Sequence, residues 1–135
     1  MNTFSLTIVT PDGMQFDAQA ESLIVRTTTG DMGIMAGHIN CVAPLGMGMA
    51  TVVIDGKKRH GACIGGMVSV LNDQVKLVPT TFEWAEDIDL SRTEKSESRA
   101  RKILQDKDSG EIDIRLAEAR LRRALIRKSV AETKY

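Results

Sequence analysis

Aromatic side chains are scarce in this chain. One Trp, one Tyr and three Phe occur among 135 residues, so aliphatic side chains must fill the core. Histidine and cysteine are scarcer still, with two of each. His38 and His60 stand apart, and no H-x-x-x-H, H-E-x-x-H or Cys/His cluster occurs. The usual metal-site spacings are thereby excluded. Cys41 and Cys63 form no C-x-x-C and lie among apolar neighbours. They read as small buried hydrophobes of a reducing compartment. No G-x-S-x-G occurs, and nothing else marks a catalytic constellation. Signal-peptide and transit-peptide patterns are missing. No apolar run approaches the ~20 residues of a membrane span. A soluble intracellular protein is expected. Eighteen basic and eighteen acidic residues balance to zero net charge, which excludes general affinity for nucleic acid or a membrane surface.

The charges that are present are unevenly placed. Residues 1–85 hold 7 acidic and 5 basic groups, and residues 86–135 hold 11 and 13. The first part reads as strands. Phe4, Leu6 and Ile8 alternate with Ser5, Thr7 and Val9, a period of two. Pro11-Asp12-Gly13 supplies a turn, and Met14–Phe16 can pair back. Leu23–Thr28 is a further strand. Met49–Ile54 and Lys57–Ile64 flank Asp55-Gly56, the strongest hairpin signal in the chain. Met67–Leu71 and Val75–Val78 flank Asn72-Asp73. Such spacing predicts a β-sandwich or barrel of eight to ten short strands over residues 1–85. Residues 30–38 are expected as an irregular loop. The glycines there, and those of Gly46-Met47-Gly48, match neither phosphate-binding fingerprint. Turns needing positive φ explain them better.

Residues 86–135 read as an antiparallel helical hairpin. Ser91-Arg92-Thr93-Glu94 fits a capping box, which starts a first helix near Asp89–Ser91 that runs to about Gln105. Residues 106–110 break it. A second helix starts near Glu111–Asp113 and runs to about Ala131, with Ile114, Ala117, Leu121, Ala124 and Leu125 on one stripe. The polar faces are strongly cationic. Arg92, Lys95, Arg99 and Lys102 share one face of the first helix. Arg120, Arg123 and Arg127 share one face of the second. Between Ile114 and Lys128 stand six basic residues and one acidic. This is either a solvated face or a surface for an anionic partner, an acidic protein or a polyphosphate. Glu86, Asp87 and Asp89 lack a second ligand cluster, so they read as the acidic start of a helix.

Three stretches resemble the epsilon subunit of bacterial F-type ATP synthase. "GDMGIMAGHIN" (30–40) is similar to the family's G-E/D-x-G-I-L-P-G-H loop. "CIGGMVSVLNDQVKLV" (63–78) is similar to its G-G-F-hydrophobic-x-V followed by N-x-V-x-V-L. "EWAEDIDLSR" (83–92) is similar to its A-E-D-I-D-x-x-R junction. Ala36 stands where Pro is usual, Ile39-Asn40-Cys41 replaces a small-Pro-Leu run, and Met67 replaces an aromatic. These are packing changes.

The resemblance implies a noncatalytic rotor subunit without a required cofactor. Its sandwich would dock on the gamma subunit and rest on the polar loops of the c-ring, with Asp31, Met32 and His38 as candidate contacts. Its hairpin would regulate or inhibit ATP hydrolysis by extending toward the alpha and beta subunits, with Arg120, Arg122, Arg123 and Arg127 meeting acidic segments. The implied location is peripheral, on the cytoplasmic face of the bacterial cell membrane, with membrane contact only through the complex. Some family members bind ATP in the compact hairpin. The positions that match are Glu83, Ile88, Asp89, Arg92, Arg99, Arg123 and Arg127, while Thr93 departs from the usual Ala. Magnesium could accompany ATP, although no residue pattern calls for it. The competing expectation is a constant adaptor between gamma and the c-ring, with no ATP sensing.

Overall fold

The computed structural model describes residues 2–133. They form two compact units that divide between Trp84 and Ala85. The first unit consists of ten strands in two five-stranded sheets. In chain order these are β1 (Phe4–Thr10), β2 (Gly13–Ala20), β3 (Ser22–Thr27), β4 (Gly30–Met35) and β5 (Cys41–Pro44). They are followed by β6 (Met47–Ile54), β7 (Lys57–Ile64), β8 (Met67–Leu71), β9 (Gln74–Val78) and β10 (Thr81–Trp84). One sheet has the order β2-β1-β9-β8-β5, the other β10-β7-β6-β3-β4.

The alternation in β1 does what its period dictates. Phe4, Leu6 and Ile8 are fully buried, and the residues between them are half-buried. They meet Leu23, Val25, Ile34, Val52, Val68, Val75 and Leu77 in one aliphatic core, closed at one side by Phe82 and Trp84. Burying each such side chain stabilises the fold by roughly 1.5–3 kcal/mol before entropy is counted. Trp84 is held from three sides. Phe82 and Phe16 meet it edge-on at 4.9 and 5.8 Å, and the Arg59 guanidinium lies 3.8 Å from its ring centre. The two hairpin turns have the expected chemistry. Asp55 and Gly56 both take positive φ, as do Asn72 and Asp73, which a two-residue turn of this hand requires. Most pairs are antiparallel, but β1 pairs with β9 in parallel, Leu6 against Val75.

Three features correct the sequence reading. Residues 30–35 are not loop. They form β4, paired with β3 from Thr27↔Gly30 to Ser22↔Met35, with Ile34 buried and Met32 packed against the core. The irregular segment is only 36–40. Strands β5 and β10 are additional. The glycine explanation is also divided. Gly30 and Gly37 take positive φ, but Gly48 does not; it is small because the Arg26 side chain crosses it, and a Cβ there would lie 2.6 Å from the Cβ of Arg26.

The second unit opens with a short 3-10 turn (Ala85–Asp87), followed by α1 (Leu90–Gln105) and α2 (Glu111–Glu132). The two helices pack against each other as an antiparallel pair. Ala100 of α1 and Ala117 and Ala124 of α2 are buried. Short side chains let the helix backbones approach closely but bury little area. The connection is tied by Ser109, whose hydroxyl donates to the Ile103 carbonyl at 2.7 Å. Leu125 is exposed at 42%, so it lies outside the buried stripe, which continues instead to Val130.

Candidate anion site in the helical hairpin

The start of α1 is set by Asp89. It has extended backbone geometry, and its carboxylate accepts the Arg92 amide at 3.1 Å. The cap is therefore Asp89 and not the Ser91 of the expected capping box. A carboxylate is well placed here, because it satisfies a free N–H and faces the positive end of the helix dipole. Ile88, half-buried, closes the 3-10 turn by donating to the Ala85 carbonyl at 3.4 Å. Thr93 is buried, and its hydroxyl turns back to donate to the Asp89 carbonyl at 2.9 Å.

Once α1 is started at Leu90, helical spacing puts Arg92, Lys95 and Arg99 on one face. Antiparallel packing brings Arg120 of α2 beside them. The four cations, with Ser96 and Ala100, line one groove of about 540 Å³. Among the described residues no carboxylate lines it. Among the described residues, none of the four side chains takes part in a hydrogen bond or ion pair. Four like charges without counter-ions repel one another, and an anion in the groove would relieve that repulsion.

A different ion-pair cluster joins the two helices. Glu97 accepts Arg101 at 3.0 and 3.2 Å along α1 and lies 3.7 Å from the Lys128 ammonium of α2. The Arg101 hydrogen bond, with Lys128 behind it, holds the Glu97 carboxyl below its ordinary value of 4.5.

Of the residues singled out from sequence for a nucleotide, the groove gathers Arg92 and Arg99. Asp89 caps their helix. Arg123 and Arg127 are half-buried on α2 and do not line the groove. Arg127 is already engaged. Glu83, also engaged, lies on β10 opposite Ala62. Lys95 and Arg120 complete the groove and were absent from that set. Their signal was present in the i, i+3, i+7 stripe. Arg120 and Arg122 are exposed on α2. In the sandwich, Asp31 pairs with Arg26 at 3.2 Å, Met32 is half-buried against the core, and the His38 ring bonds to the Ile39 carbonyl at 2.8 Å. Asp31 lies near the start of β4 and His38 three residues past its end.

The cysteines and the second histidine lie elsewhere. Burial pushes the Cys63 thiol up to about 12, which makes it inert as a nucleophile. His60 is buried, with one ring nitrogen 3.0 Å from the Thr51 hydroxyl. Among the described residues no three His, Cys, Asp or Glu side chains gather as a metal site. No described helix is long and apolar enough to cross a membrane.

A ten-stranded sandwich followed by a charged helical hairpin is the two-part layout of the ATP synthase Delta/Epsilon chains. Two family models match in order: the ATP synthase Delta/Epsilon chain beta-sandwich domain over residues 3–85, and its long alpha-helix domain over residues 86–132. The chain belongs to this family, among the epsilon chains. It is 43% identical over 131 residues to the ATP synthase epsilon chain of Bacillus velezensis, covering 97% of this chain and 98% of that one. It is 37% identical over 134 residues to that of Bacillus mycoides, covering 99% and 100%. Among solved structures, one chain of the Euglena gracilis mitochondrial ATP synthase, described as OSCP/F1/c-ring in rotational state 1, aligns with a TM-score of 0.82. That match has 25% identity and covers 94% of this chain and 80% of the other.

Proposed function

We propose that this chain is a noncatalytic rotor subunit of a proton-translocating ATP synthase. Its sandwich joins the gamma subunit to the polar loops of the c-ring in the central stalk, for ATP synthesis and ion transport. Its hairpin restrains ATP hydrolysis. The subunit sits peripherally, on the cytoplasmic face of the cell membrane, and reaches the membrane only through the complex. Family membership supports the rotor role. The observation that carries the regulatory role is the groove of four cations, unpaired among the described residues, on a hairpin whose buried positions are mostly alanine.

The reasoning is one of balance. A seam of Ala100, Ala117 and Ala124 gives a weak closing energy, so the compact hairpin is open to competition. An acidic surface on the beta subunit would draw the cationic faces outward. ATP would hold the hairpin closed by placing its phosphates among Arg92, Arg99 and the neighbouring cations. Asp89 would act through the helix start, and Arg123 and Arg127 from the second helix. No bond is made or broken by this chain. Extension obstructs rotation, and closure releases it.

Deleting residues 88–135 tests this in the assembled complex. The expected result is faster ATP hydrolysis with ATP synthesis retained. Unchanged inhibition of hydrolysis would overturn the regulatory role. Failure of the chain to bind gamma would overturn the rotor role.

A further inference from the structure

Residues 36–40 carry the chain from β4 in one sheet to β5 in the other. They lie outside both ladders, yet the β8–β9 turn holds them at two points. The Asp73 carboxylate accepts the Gly37 amide at 2.7 Å. The Asn40 side chain accepts the Asn72 amide at 2.8 Å and donates to the Asn72 side-chain oxygen at 3.3 Å. Between the two points stand only His38 and Ile39. The His38 amide donates to the Met35 carbonyl at 3.1 Å, and its ring bonds to the Ile39 carbonyl. The holding turn is itself fixed. Asn72 and Asp73 take φ of 49° and 61°, which Asn and Asp accept more readily than other L-residues. The Asp73 carbonyl accepts the Ser5 amide of β1 at 2.9 Å. Asp73 thus ties β1 through its carbonyl and the crossover through its carboxylate. Asn40, Asn72 and Asp73 are all exposed, so water competes for these bonds and each adds modestly to stability. What they do is select one conformation for a short loop. Ile39 is 77% exposed. A single exposed apolar side chain is ordinary, but the backbone that carries this one is pinned on both sides.

We propose that Asn40 and Asp73 are positioning residues, which with Asn72 clasp residues 36–40 so that His38 and Ile39 are held ready for the rotor. The inference rests on the rotor reading, in which His38 is a candidate contact, and adds to it the residues that prepare the contact. A loop ordered before docking loses less conformational entropy on docking. The clasp therefore strengthens association without itself supplying a contact.

Two measurements on the full-length chain test this: amide hydrogen exchange of the free chain, and its titration into ATP synthase depleted of this subunit. Asn40→Ala and Asp73→Gly each remove one arm of the clasp, and glycine keeps the positive φ of the turn. Both are expected to speed exchange at residues 36–40 and to weaken docking by about three- to tenfold, the range for one or two exposed hydrogen bonds. Exchange in β1 and β9 should stay slow, which shows that the sandwich is intact. Asp73→Asn keeps an acceptor for the Gly37 amide and is expected to match the parent in both measurements. Unchanged exchange at residues 36–40 in Asn40→Ala and Asp73→Gly would show that the clasp holds nothing and would overturn the proposal. Faster exchange with undiminished docking would remove the positioning role and leave the rotor reading standing. Equal weakening by Asp73→Asn and Asp73→Gly would assign the effect to charge at position 73 and overturn the clasp. Failure of the parent chain to bind the depleted complex would overturn the rotor reading, and the positioning role with it.

Discussion

The Lys128 ammonium of α2 lies 3.7 Å from the Glu97 carboxylate of α1, and Arg101 binds the same carboxylate from one turn away. The pair joins the two helices of the hairpin. It sits on the hairpin where alanine packing leaves little apolar area to bury. Charge therefore contributes to closing the hairpin.

Acid is expected to loosen the hairpin through Glu97. Its carboxyl titrates lower in the folded chain than in the unfolded one, chiefly because of Arg101. The ionised form is favoured by folding, so its contribution is fully present above the ordinary value of 4.5 and is lost as pH falls through the lowered value. Helix content followed by circular dichroism from pH 7 downward should fall in that acid window. Glu97→Gln should remove this part of the pH dependence. A variant with the same acid profile as the parent would refute the role given to Glu97.

Asp89 separates a cap from a ligand contact. Asp89→Ala should destabilise the hairpin by about 1 kcal/mol, the usual cost of a lost N-cap. Asp89→Ser should restore helix content, because a serine hydroxyl can accept the same amide. If ATP heat survives in the serine variant, the carboxylate acts only through the helix start. If it is lost while the helix is intact, the charge itself contributes to binding.

Thr93→Ala should leave ATP binding within about threefold of the parent chain. The hydroxyl is occupied by the Asp89 carbonyl, and back-bonding of this kind adds little to a helix. Alanine gains about 0.5 kcal/mol in helix propensity and loses a buried methyl, so stability should change by under about 1 kcal/mol. Thermal denaturation and calorimetry would check the two halves. A large gain in ATP affinity would mean that this threonine crowds the ligand.

Gly66→Ala should be the severest glycine substitution in the sandwich. Gly66 has φ +91, and a Cβ there would run into the Val78 carbonyl and the Pro79 backbone. Positive φ alone costs an L-residue roughly 1–2 kcal/mol, and the backbone clash should raise the loss above about 3 kcal/mol. Gly56→Ala, also at positive φ but with open space around it, should lose only the strain. Similar losses in urea denaturation for both variants would remove the clash from the account.

What the sequence revealed follows from how local each signal is. The strand of Phe4, Leu6 and Ile8 was plain because its period is uninterrupted, and both hairpins were plain because their turns use Asp-Gly and Asn-Asp. Strand β4 was hidden by Gly30 and Gly33, which break the hydrophobic period while the backbone still pairs. Strands β5 and β10 are four residues each, too short to carry a pattern. The cap was misplaced by two residues because Asp89 and Ser91 are both good caps, and only the backbone decides between them. In the hairpin, the stripe of Arg92, Lys95 and Arg99 could be read from spacing alone. The entry of Arg120 into the same groove, and the bridge from Glu97 to Lys128, depend on how α2 is registered against α1. That register is set by three buried alanines whose side chains carry almost no signal of their own.

The parallel pairing of β1 with β9 has a consequence for synthesis of the chain. Phe4–Thr10 leaves the ribosome early, while its partner Gln74–Val78 is made much later. Until then β1 has only β2 beside it in its own sheet, and its other edge is unpaired. Non-local pairing of this kind slows folding, and an unfilled strand edge invites association with other nascent chains. The first sheet can close only when most of the sandwich has been translated. Early truncation products should therefore be handed to chaperones or degraded, and only chains elongated past β9 can form a soluble sandwich.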